Sequence, residues 1–407
     1  MGEALLRGGL ESFLAMKIKL LLAIGGIVCY SACTEPSLSE PEPLAEFYPF
    51  NIKVDQAIPN SPKVDMVLET FNGDSTRSYT GRIETRGGFS ISFPKQSFEI
   101  DLEIDVPLAG LPADDDWILN ANYIDKTFIR HVIAYDLFRA MNTNHVAPKT
   151  KYIELSLNGN YNGLYVLMEK LDRSSLAIDK EDPIAVVYKE PPLFQEGMIT
   201  PQDADNYYQQ TYPKKKKANR TRFISAIRAF ILNSDSSSFE QEVGGVFDLN
   251  NIVDWHLLLL LTNNSDGILK NFYLYKVNAA TPLRIAPWDY DHSWGRDGDN
   301  ELNLIKPLDL NRSLLFRRLL TLPSYKMALK ERWNELQALG LFTPAGLKQR
   351  IQTYRQTLDE VVARNFEKWP VDNAIYYDKN DFAAEMEIIE RYIDLRHPQL
   401  VQYFENL

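Results

Sequence analysis

The sequence predicts an α+β protein that is rich in strands in its first half and helical in its last third. Short apolar segments separated by turn residues run from residue 47 to 172, and Asn158–Gly159–Asn160 is typical of a β-hairpin. Beyond residue 312, apolar residues recur at three- and four-residue spacing, the pattern of amphipathic helices. A chain of 407 residues with 45% hydrophobic residues can bury a large core, as one domain or as two lobes that share a cleft.

The first half is expected to contain seven strands and one helix. Asp125 is placed to cap a helix over residues 126–141, and residues 152–157 and 163–169 are the two strands that the hairpin joins. The order strand–strand–helix–strand–strand matches the small lobe of kinase-like folds and also many other α+β domains. The strands before the helix are expected at residues 51–56, 63–71, 79–85, 97–102 and 116–120.

The second half is expected to be mainly helical. Apolar periodicity predicts helices over residues 222–232 and 247–261, and residues 184–189 are compatible with a strand. The lysine run at residues 214–217 is typical of a solvated insertion. Further helices are predicted at residues 313–320, 324–339, 343–369 and 381–405.

The stretch from residue 254 to 295 carries the residues with catalytic potential. An apolar run at residues 255–261 predicts a buried helix, and a polar loop, a hairpin and an acidic loop follow it. Kinase-type phosphoryl transfer needs one Asp as proton acceptor, and an Asn and a second Asp as magnesium ligands. Each motif alone is common by chance or as a turn, so the order of the motifs is what favours a phosphoryl-transfer site. The four side chains expected at one rim are Asp266, Asn271, Asp289 and Asp291.

A glycine pair beside basic residues lies upstream of this stretch. Gly87 and Gly88 follow Arg86, and Lys95 comes later in the same segment. Because glycine lets backbone N–H groups approach an anion, the segment is suited to nucleotide phosphates. From composition alone, a hairpin loop with exposed cations is the preferred interpretation, and phosphate binding is the alternative.

The first 33 residues have the pattern of a secretory signal. A basic segment at residues 16–19 precedes a short apolar segment at residues 20–28, and Met16 is the expected initiator. The apolar segment is too short for a comfortable membrane span. We therefore expect an exported protein.

The end of this signal resembles a lipoprotein signal box. Ser31 and Ala32 precede Cys33, which predicts lipidation of Cys33 and a lipid anchor in a bacterial cell envelope, facing the periplasm or the cell surface. Tyr30 departs from the aliphatic residue expected there, and plain secretion with cleavage near Ala32 is the alternative. Residues 34–46, rich in Pro, Ser and Glu, are expected to form a tether.

Composition narrows the classes of partner and chemistry. A net charge of −11 without a dense basic face argues for protein or small-molecule partners and against nucleic acid. Both cysteines, Cys29 and Cys33, lie in the predicted signal, which argues against disulfides, cysteine-ligated zinc and cysteine nucleophiles in the folded part. Five histidines without a pair at i, i+4 argue against a zinc hydrolase.

Several segments together resemble the CotH kinase family, secreted atypical protein kinases first known from bacterial spore coats. Their order and spacing match from about residue 50 to 300, and the helical tail resembles the family only loosely. The most specific pieces lie around Asn158–Gly159 and at Trp288–Asp289–Tyr290–Asp291. The matching segments are residues 86–88, 93–98, 117–127, 158–170, 271–275 and 287–291.

This resemblance implies a divergent bilobal protein-kinase-like fold. Residues 47–172 correspond to a β-rich N-lobe, and residues 173–407 to a helical C-lobe that carries the catalytic and metal-binding loops. The implied activity is transfer of phosphate from ATP, with Mg²⁺, to Ser or Thr of secreted or cell-surface proteins.

The resemblance also implies roles for individual residues. By position, Asp266 corresponds to the catalytic Asp and Asn271 to a second metal ligand. Asp289 corresponds to the Asp that chelates Mg²⁺, and Asp291 is close enough to take this role instead. His292 is expected to be a hydrogen-bond partner of Asp291 rather than a ligand.

The roles in the small lobe are less defined. Either Lys95 or Arg86 is expected to contact phosphates, and Glu169 either lies at the nucleotide hinge or buttresses the sheet. Glu99 stands where many relatives carry a basic residue, and the sequence has no G-x-G-x-x-G motif. Phosphate binding is therefore the part of the site that the sequence defines least.

Two other functions are compatible with the same residues. Transfer of AMP to a protein needs the same Mg-ATP and the same acids, and only the mass of the product separates it from phosphate transfer. A non-catalytic surface lipoprotein would keep the fold as a binding module. Asp266, Asn271 and Asp289 argue against such a module, because a scaffold has no need for three convergent groups with metal-binding potential.

Overall fold

A closed barrel of seven strands forms the first part of the described chain. The computed structural model describes residues 47–73, 75–197, 207–297, 301–372 and 378–407. The barrel strands are Tyr48–Lys53 (β1), Val64–Asn72 (β2), Ser75–Arg86 (β3), Ser97–Val106 (β4), Asp114–Asn120 (β5), Thr150–Leu157 (β6) and Asn160–Glu169 (β7). Around the barrel the order is β1-β2-β3-β4-β5-β7-β6, and the parallel pairing of β1 with β6 closes it while the other pairs are antiparallel.

Side chains at alternating strand positions fill the barrel. On β4, Phe98, Ile100 and Leu102 point inward, and on β7, Tyr165 and Leu167 do the same. The intervening side chains of β7 point outward and join the core formed with the helices, namely Leu164, Val166 and Met168. The β-rich and helical parts therefore share one hydrophobic core along the outer face of the barrel.

The helix between β5 and β6 is Arg130–Met141 (α1), which begins later than the sequence predicted. Phe128 has a φ of +60°, a value that an α-helix does not accommodate, so residues 125–129 form a turn. The Asp125 carboxylate accepts the backbone N–H of Thr127 and of Arg130, at 3.2 Å each. Asp125, the predicted capping residue, thus binds the first residue of α1 from the preceding turn and not from the position next to the helix.

A second sheet of four antiparallel strands follows in the chain. Its strands are Val186–Lys189 (β8), Gln209–Tyr212 (β9), Phe272–Lys276 (β10) and Arg284–Pro287 (β11), in the order β11-β10-β8-β9. Strand β9 was not predicted, because its polar sequence resembles an exposed insertion. Its buried Gln210 is satisfied by the carbonyl of Ala218 at 2.7 Å and the N–H of Arg220 at 2.8 Å.

Helix α4 lies at the centre of the helical part. Every residue from Asn251 to Thr262 is buried, which is expected of a helix that is apolar on all sides. The helices after α1 are Thr221–Asn233 (α2), Ser236–Val246 (α3), Leu249–Thr262 (α4), Leu314–Leu319 (α5), Pro323–Ala338 (α6), Pro344–Leu358 (α7), Val362–Lys368 (α8) and Phe382–Glu405 (α9).

The single helix predicted over residues 343–369 is two helices, α7 and α8. Asn365 of α8 accepts the N–H of Leu164 on β7 at 3.1 Å, and the indole of Trp369 donates to the carbonyl of Asn162 at 2.8 Å. The break after α7 lets α8 turn onto the barrel. Hydrogen bonds to the barrel, which periodicity does not reveal, therefore decide where the predicted helix is interrupted.

The predicted α+β class is confirmed, and the closure of the barrel is new. Closure depends on parallel pairing of Phe50 with Leu155 and of Ile52 with Leu157, residues that are far apart in the chain. Hydrophobic patterns identify strands but not their distant partners. A closed barrel sharing one core with helices is a more specific description than two lobes, and the sequence did not predict it.

The N-terminal predictions fall outside the described residues. These are the signal at residues 1–33, including Cys33, and the tether at residues 34–46. Within the part of the chain that the structure describes, no helix has both the length and the apolar character needed to cross a membrane. The described residues all belong to one compact unit.

Candidate active site

One cavity of about 810 Å³ holds most of the residues predicted for the site. Its walls include the ends of β3 and β8, part of α1, and the loops after α4 and β11. The predicted residues that line it are Arg86, Lys95, Asp266, Asn271, Asp289 and Asp291. The catalytic and metal-binding candidates thus meet in one place.

The loop after α4 holds Asp266 in a tight turn. Asn263, with a φ of +55°, ends the helix, and Asn264 Oδ1 accepts the N–H of Gly267 at 2.9 Å. A Cβ at Gly267 would lie 2.6 Å from Leu259 Cδ2, so a larger residue there would require the Leu259 side chain to shift. The Asp266 carboxylate is 23% exposed, and the Lys270 ammonium lies 3.1 Å from it.

Asn271 and Asp289 are joined through the backbone. Both residues adopt left-handed backbone conformations, with φ of +61° and +57°. Asn271 Nδ2 donates to the Asp289 carbonyl at 2.8 Å, and the Asp289 N–H donates to the Tyr135 hydroxyl at 3.0 Å. The Asn271 amide nitrogen is therefore occupied, and its carbonyl oxygen is the side-chain atom left to face a cation.

A histidine from α1 completes a cluster with the two acids of the second loop. One ligand atom each of His131, Asp289 and Asp291 lie within 4.8 Å of one another. His131 Nδ1 accepts the Tyr290 N–H at 2.8 Å, so in the neutral ring the proton is on Nε2, which lies 3.8 Å from Asp289 Oδ1. A protonated Nε2 donates hydrogen bonds and does not ligate a metal ion. We call these three residues the inner cluster.

The two acids of the inner cluster have opposite pKa shifts. The Asp289 side chain is 49% exposed, but it opens into a deep cavity, so burial together with neighbouring Asp291 raises the pKa of Asp289 to about 6. Burial also acts to raise the pKa of Asp291, but His292 and His131 outweigh it and the pKa is lowered. His292 reaches Asp291 Oδ1 through its backbone N–H at 2.9 Å, whereas its Nε2 stays 4.0 Å away.

Lys95 is not arranged to contact phosphates, although part of it lines the cavity. Its ammonium donates to the carbonyls of Ala121, at 2.8 Å, and Leu164, and it lies over the rings of Phe128 and Tyr165 at 4.8 and 4.6 Å. Burial lowers the pKa of Lys95 well below its usual value. The sequence left open whether Lys95 or Arg86 contacts phosphates. In the structure, Lys95 has a structural role, because its ammonium binds backbone carbonyls.

Arg86 and Lys189 are the cations that face the cavity. They flank the Trp288 indole, with Arg86 Cζ at 5.6 Å and Lys189 Nζ at 5.8 Å from its centre. Within the described ranges, neither has a carboxylate oxygen within 4.0 Å. Burial lowers the pKa of Lys189, although Glu190 opposes this shift. Sequence reasoning missed Lys189 because it ends a predicted strand without any motif.

Glu169 does not reach the cavity. Its Oε2 accepts the N–H of Lys149 at 2.9 Å, and the Lys149 ammonium is 3.9 Å from Oε1, so Glu169 buttresses the barrel edge. Glu99 does line the cavity, but it pairs with Lys63 and Lys170 at 2.9 Å each. The basic residue expected at the position of Glu99 is thus replaced by an acid that two lysines neutralise.

A buried ion network lies behind the acidic loop. Arg130 binds Asp125 at 2.6 Å and Glu385 of α9 at 3.0 Å, and its Nε donates to the Ser293 carbonyl at 3.1 Å. Arg296 is buried and also binds Glu385. The network has three cations and three anions, namely Lys126, Arg130, Arg296, Asp125, Asp378 and Glu385. It fixes the segment that follows Asp291 against α1 and α9.

Together, fold and site define an α+β protein with an oxygen-lined cavity suited to a divalent cation and with two cations suited to an anion. The family model described as CotH kinase protein matches residues 83–400, more than half of the chain, and the chain belongs to this family. Membership makes it an atypical kinase in general terms, in a family for which ATP and a divalent metal are implied.

The individual proteins to which this chain is similar share little sequence identity with it. The chain is 25% identical over 332 residues to the inner spore coat protein H of Bacillus subtilis (strain 168), covering 80% of this chain and 87% of that protein. The crystal structure of the Helicobacter pylori proinflammatory kinase CtkA aligns with 75% of this chain and 94% of its own at 10% identity. The TM-score of that alignment is 0.27, so it carries no argument about the fold.

Proposed function

We propose that the protein transfers the terminal phosphate of Mg-ATP to Ser or Thr side chains of secreted or cell-surface proteins. The observation that carries the proposal is the convergence, in one cavity, of a partly exposed carboxylate, a set of oxygen ligands and two cations that have no carboxylate partner among the described residues. Phosphoryl transfer depends mainly on positioning and charge stabilisation, and these three kinds of group supply both.

Asn271, Asp289 and Asp291 fit a magnesium site. All three offer oxygen atoms, which Mg²⁺ prefers, and in the described part of the chain no Lys or Arg nitrogen lies within 4.0 Å of either carboxylate. Burial and, after it, repulsion from Asp291 raise the pKa of Asp289, and a bound cation would offset both effects. Bound Mg²⁺ would neutralise phosphate charge at this position. His131 serves the site by fixing the loop through the Tyr290 N–H.

Asp266 is the proton acceptor in this proposal. The hydroxyl oxygen of the acceptor forms a bond to phosphorus, the bond from phosphorus to the bridging oxygen of ADP breaks, and the hydroxyl proton passes to Asp266. Lys270, 3.1 Å from this carboxylate, orients it and places a positive charge beside the transferred group. The turn around Gly267 keeps Asp266 at the cavity wall.

Arg86 and Lys189 are proposed to hold the nucleotide phosphates. Both cations face the cavity beside Trp288 without a carboxylate partner among the described residues, so a bound anion would complete their charge balance. Lys95 has no such role here, because two carbonyls occupy its ammonium. This assigns to β3 and β8 the role that a glycine-rich motif has in other kinases.

The first test is Mg²⁺-dependent ATP turnover and self-labelling by the purified protein. We expect a phosphate adduct by intact mass, and loss of labelling in Asp266→Asn and Asp289→Asn. An adduct of the mass of AMP would keep the site and replace phosphate transfer by AMP transfer. A folded protein without any Mg-ATP binding would contradict the proposal and support a binding module.

The proposed location is a bacterial cell envelope, with a lipid anchor at Cys33. Ser31 and Ala32 before Cys33, and the basic and apolar segments upstream, support export and lipidation. In cells, Cys33→Ser is expected to move the protein from the membrane fraction to the soluble fraction. Continued membrane association of Cys33→Ser would contradict a lipid anchor at this residue.

A further inference from the structure

A second cavity of about 420 Å³ shares a wall with the first. Asp266 and Lys270 line both cavities, and residues 303–312 with Asp297 form much of the second one. In phosphoryl transfer the attacking hydroxyl oxygen and the leaving oxygen lie roughly in line at phosphorus, so a proton acceptor shared by two cavities can have the nucleotide on one side and the acceptor hydroxyl on the other. We propose that the second cavity binds the acceptor polypeptide, through an acidic side chain close to the Ser or Thr that is modified; this inference rests on the proposed kinase function.

The segment that forms the second cavity is fixed against the loop of Asp266. Asn263 Nδ2 donates to the Lys306 carbonyl at 3.1 Å, and the Arg312 guanidinium donates to the Ser265 carbonyl at 3.2 Å. These bonds join the segment to the residues that directly precede Asp266. An acceptor bound to the segment is thereby placed at a constant distance from the proton acceptor.

One buried polar atom in this wall lacks a partner. Asn263 is 4% exposed, its side chain lines the second cavity, and its Oδ1 has no hydrogen-bond donor among the residues that the structure describes. A buried carbonyl oxygen without a donor is costly. A backbone N–H of a bound polypeptide would satisfy it after a small movement of the wall, which gives the second cavity a polar contact independent of charge.

The charges of the second cavity favour an acidic acceptor. Lys306 and Arg312 are exposed, and no carboxylate of the described ranges lies within 4.0 Å of either, whereas Lys270 is paired with Asp266. The two other acids of the wall already hold backbone N–H groups: Asp309 binds that of Asn311 and Asp297 that of Glu301. In a protein with a net charge of −11, two cations that lack a carboxylate partner among the described residues and lie near Asp266 are suited to an acidic side chain.

Apolar surface continues from the same segment. Leu302 is 54% exposed and Ile305 is 64% exposed, and Ile305 directly precedes Lys306. Exposed apolar side chains next to unpaired charges are a common arrangement at protein interfaces. The inferred acceptor is therefore a flexible polypeptide segment with an acidic residue near its hydroxyl and an apolar residue further along.

The experiment compares phosphate transfer to an acidic and a basic general acceptor, dephosphorylated casein and histone. The wild-type protein is expected to prefer casein in kcat/KM. Reversing the charge of Lys306 replaces an attraction by a repulsion, so Lys306→Glu should lower the casein-to-histone ratio by about tenfold. Lys306→Glu/Arg312→Glu should lower it further; because Arg312 also binds the Ser265 carbonyl, Lys306→Glu alone is the decisive variant.

The matched control is Lys216→Glu, which makes the same charge change as Lys306→Glu at an exposed lysine that lines neither cavity. The control should keep the wild-type ratio. A wild-type preference for histone, or the same ratio in Lys306→Glu and wild type, would overturn the inference while leaving the kinase proposal intact. Failure of Mg-ATP turnover with every acceptor would instead overturn the proposed function, and this inference with it.

Discussion

Two clusters, each of three residues with side-chain atoms that could bind a metal ion, meet the same limit on the spacing of those atoms but have different surroundings. The inner cluster of His131, Asp289 and Asp291 lies in the large cavity, and an outer cluster of Glu99, Asp101 and Asp116 lies on the barrel. In each, the ligand atoms are within 4.8 Å of one another. The outer cluster holds two lysine ammonium groups, from Lys63 and Lys170. The inner cluster has no Lys or Arg partner within 4.0 Å among the described residues.

The difference shows that closely spaced acids do not by themselves make a cation site. In the outer cluster Lys63 binds Glu99 and Asp101, and Lys170 binds Glu99 and Asp116, so strands β4 and β5 are joined through their charges. The protein itself supplies the positive charge. In the inner cluster that charge is missing, and the cavity is open to a ligand that brings it.

The largest expected difference in phosphate transfer is between two single variants, one that removes an acid of the inner cluster and one that removes an acid of the outer cluster. Asp289→Asn should lower Mg²⁺-dependent phosphate transfer by about a thousandfold, because a metal ligand is lost. Asp101→Asn in the outer cluster should leave transfer within about twofold of wild type. Initial rates across a magnesium series, with circular dichroism to verify folding, provide the measurement. Equal losses in both variants would mean that the two clusters do not differ in function.

The second prediction converts the outer cluster into a cation site. Lys63→Met/Lys170→Met leaves three carboxylates facing one another, which should cost about 2 kcal/mol of unfolding free energy. In an Asp289→Asn background, Ca²⁺ should then raise the melting temperature by several degrees. Lys53→Met, which removes an exposed pair with Glu69, is the control and should leave the unfolding free energy nearly unchanged. If Ca²⁺ does not stabilise the double variant, the lysine partners of the outer cluster are not what keeps it from binding a cation.

The third prediction compares the cations beside each cluster. Lys189→Met should raise the KM for ATP about tenfold, because one phosphate contact is removed. Lys170→Met should leave this KM unchanged, since its ammonium is bound within the outer cluster. Steady-state kinetics at saturating magnesium separate the two. An unchanged KM in Lys189→Met would exclude β8 as a source of phosphate contacts.

The smallest effect concerns the pH dependence of the outer cluster. Burial, with Asp101 nearby, raises the pKa of Asp116 from 3.8 to about 7. Between these values the folded protein keeps a proton that the unfolded chain releases, so this stability contribution is lost as the pH rises through about 7. Asn at this position offers an amide N–H donor where protonated Asp116 has a carboxyl O–H, but Asn does not titrate. Asp116→Asn should be more stable than wild type by about 1 kcal/mol near pH 8, with no difference near pH 4.

Urea unfolding at both pH values measures this difference. The Asp101 pKa is lowered, because the Asp116 and Lys63 hydrogen bonds outweigh burial, so Asp101→Asn should lose stability instead and serves as the contrast. Parallel pH profiles for Asp116→Asn and wild type would show that Asp116 is ionised in the folded protein.

Local features of the fold and site were predictable from sequence. The hairpin at Asn158–Gly159–Asn160 depends on neighbouring residues only, and it joins β6 and β7 as predicted. The buried helix before Asp266 follows from a continuous apolar run. The loops of Asp266 and Asp289 were placed together by order along the chain, and both line the cavity. Their chemical roles stay predictions.

Features that depend on distant pairing were not predictable. His131 was assigned to a helix without a functional role, and only the packing of α1 against the acidic loop brings it to Asp289. The sequence singled out Lys95 and not Lys189, yet the Lys95 ammonium binds backbone carbonyls and Lys189 faces the cavity. Arg296 is charged and yet buried, because carboxylates far along the chain, those of Asp378 and Glu385, pair with it.

The buried ion network has a consequence for protein synthesis. Arg130 and Arg296 both depend on the Glu385 carboxylate, which belongs to α9 and is translated after every other part of the site. A growing chain that lacks α9 has two guanidinium groups without their shared anion, directly behind the acidic loop. We therefore expect the acidic loop to be fixed in place only when α9, the last helix of the described chain, has docked.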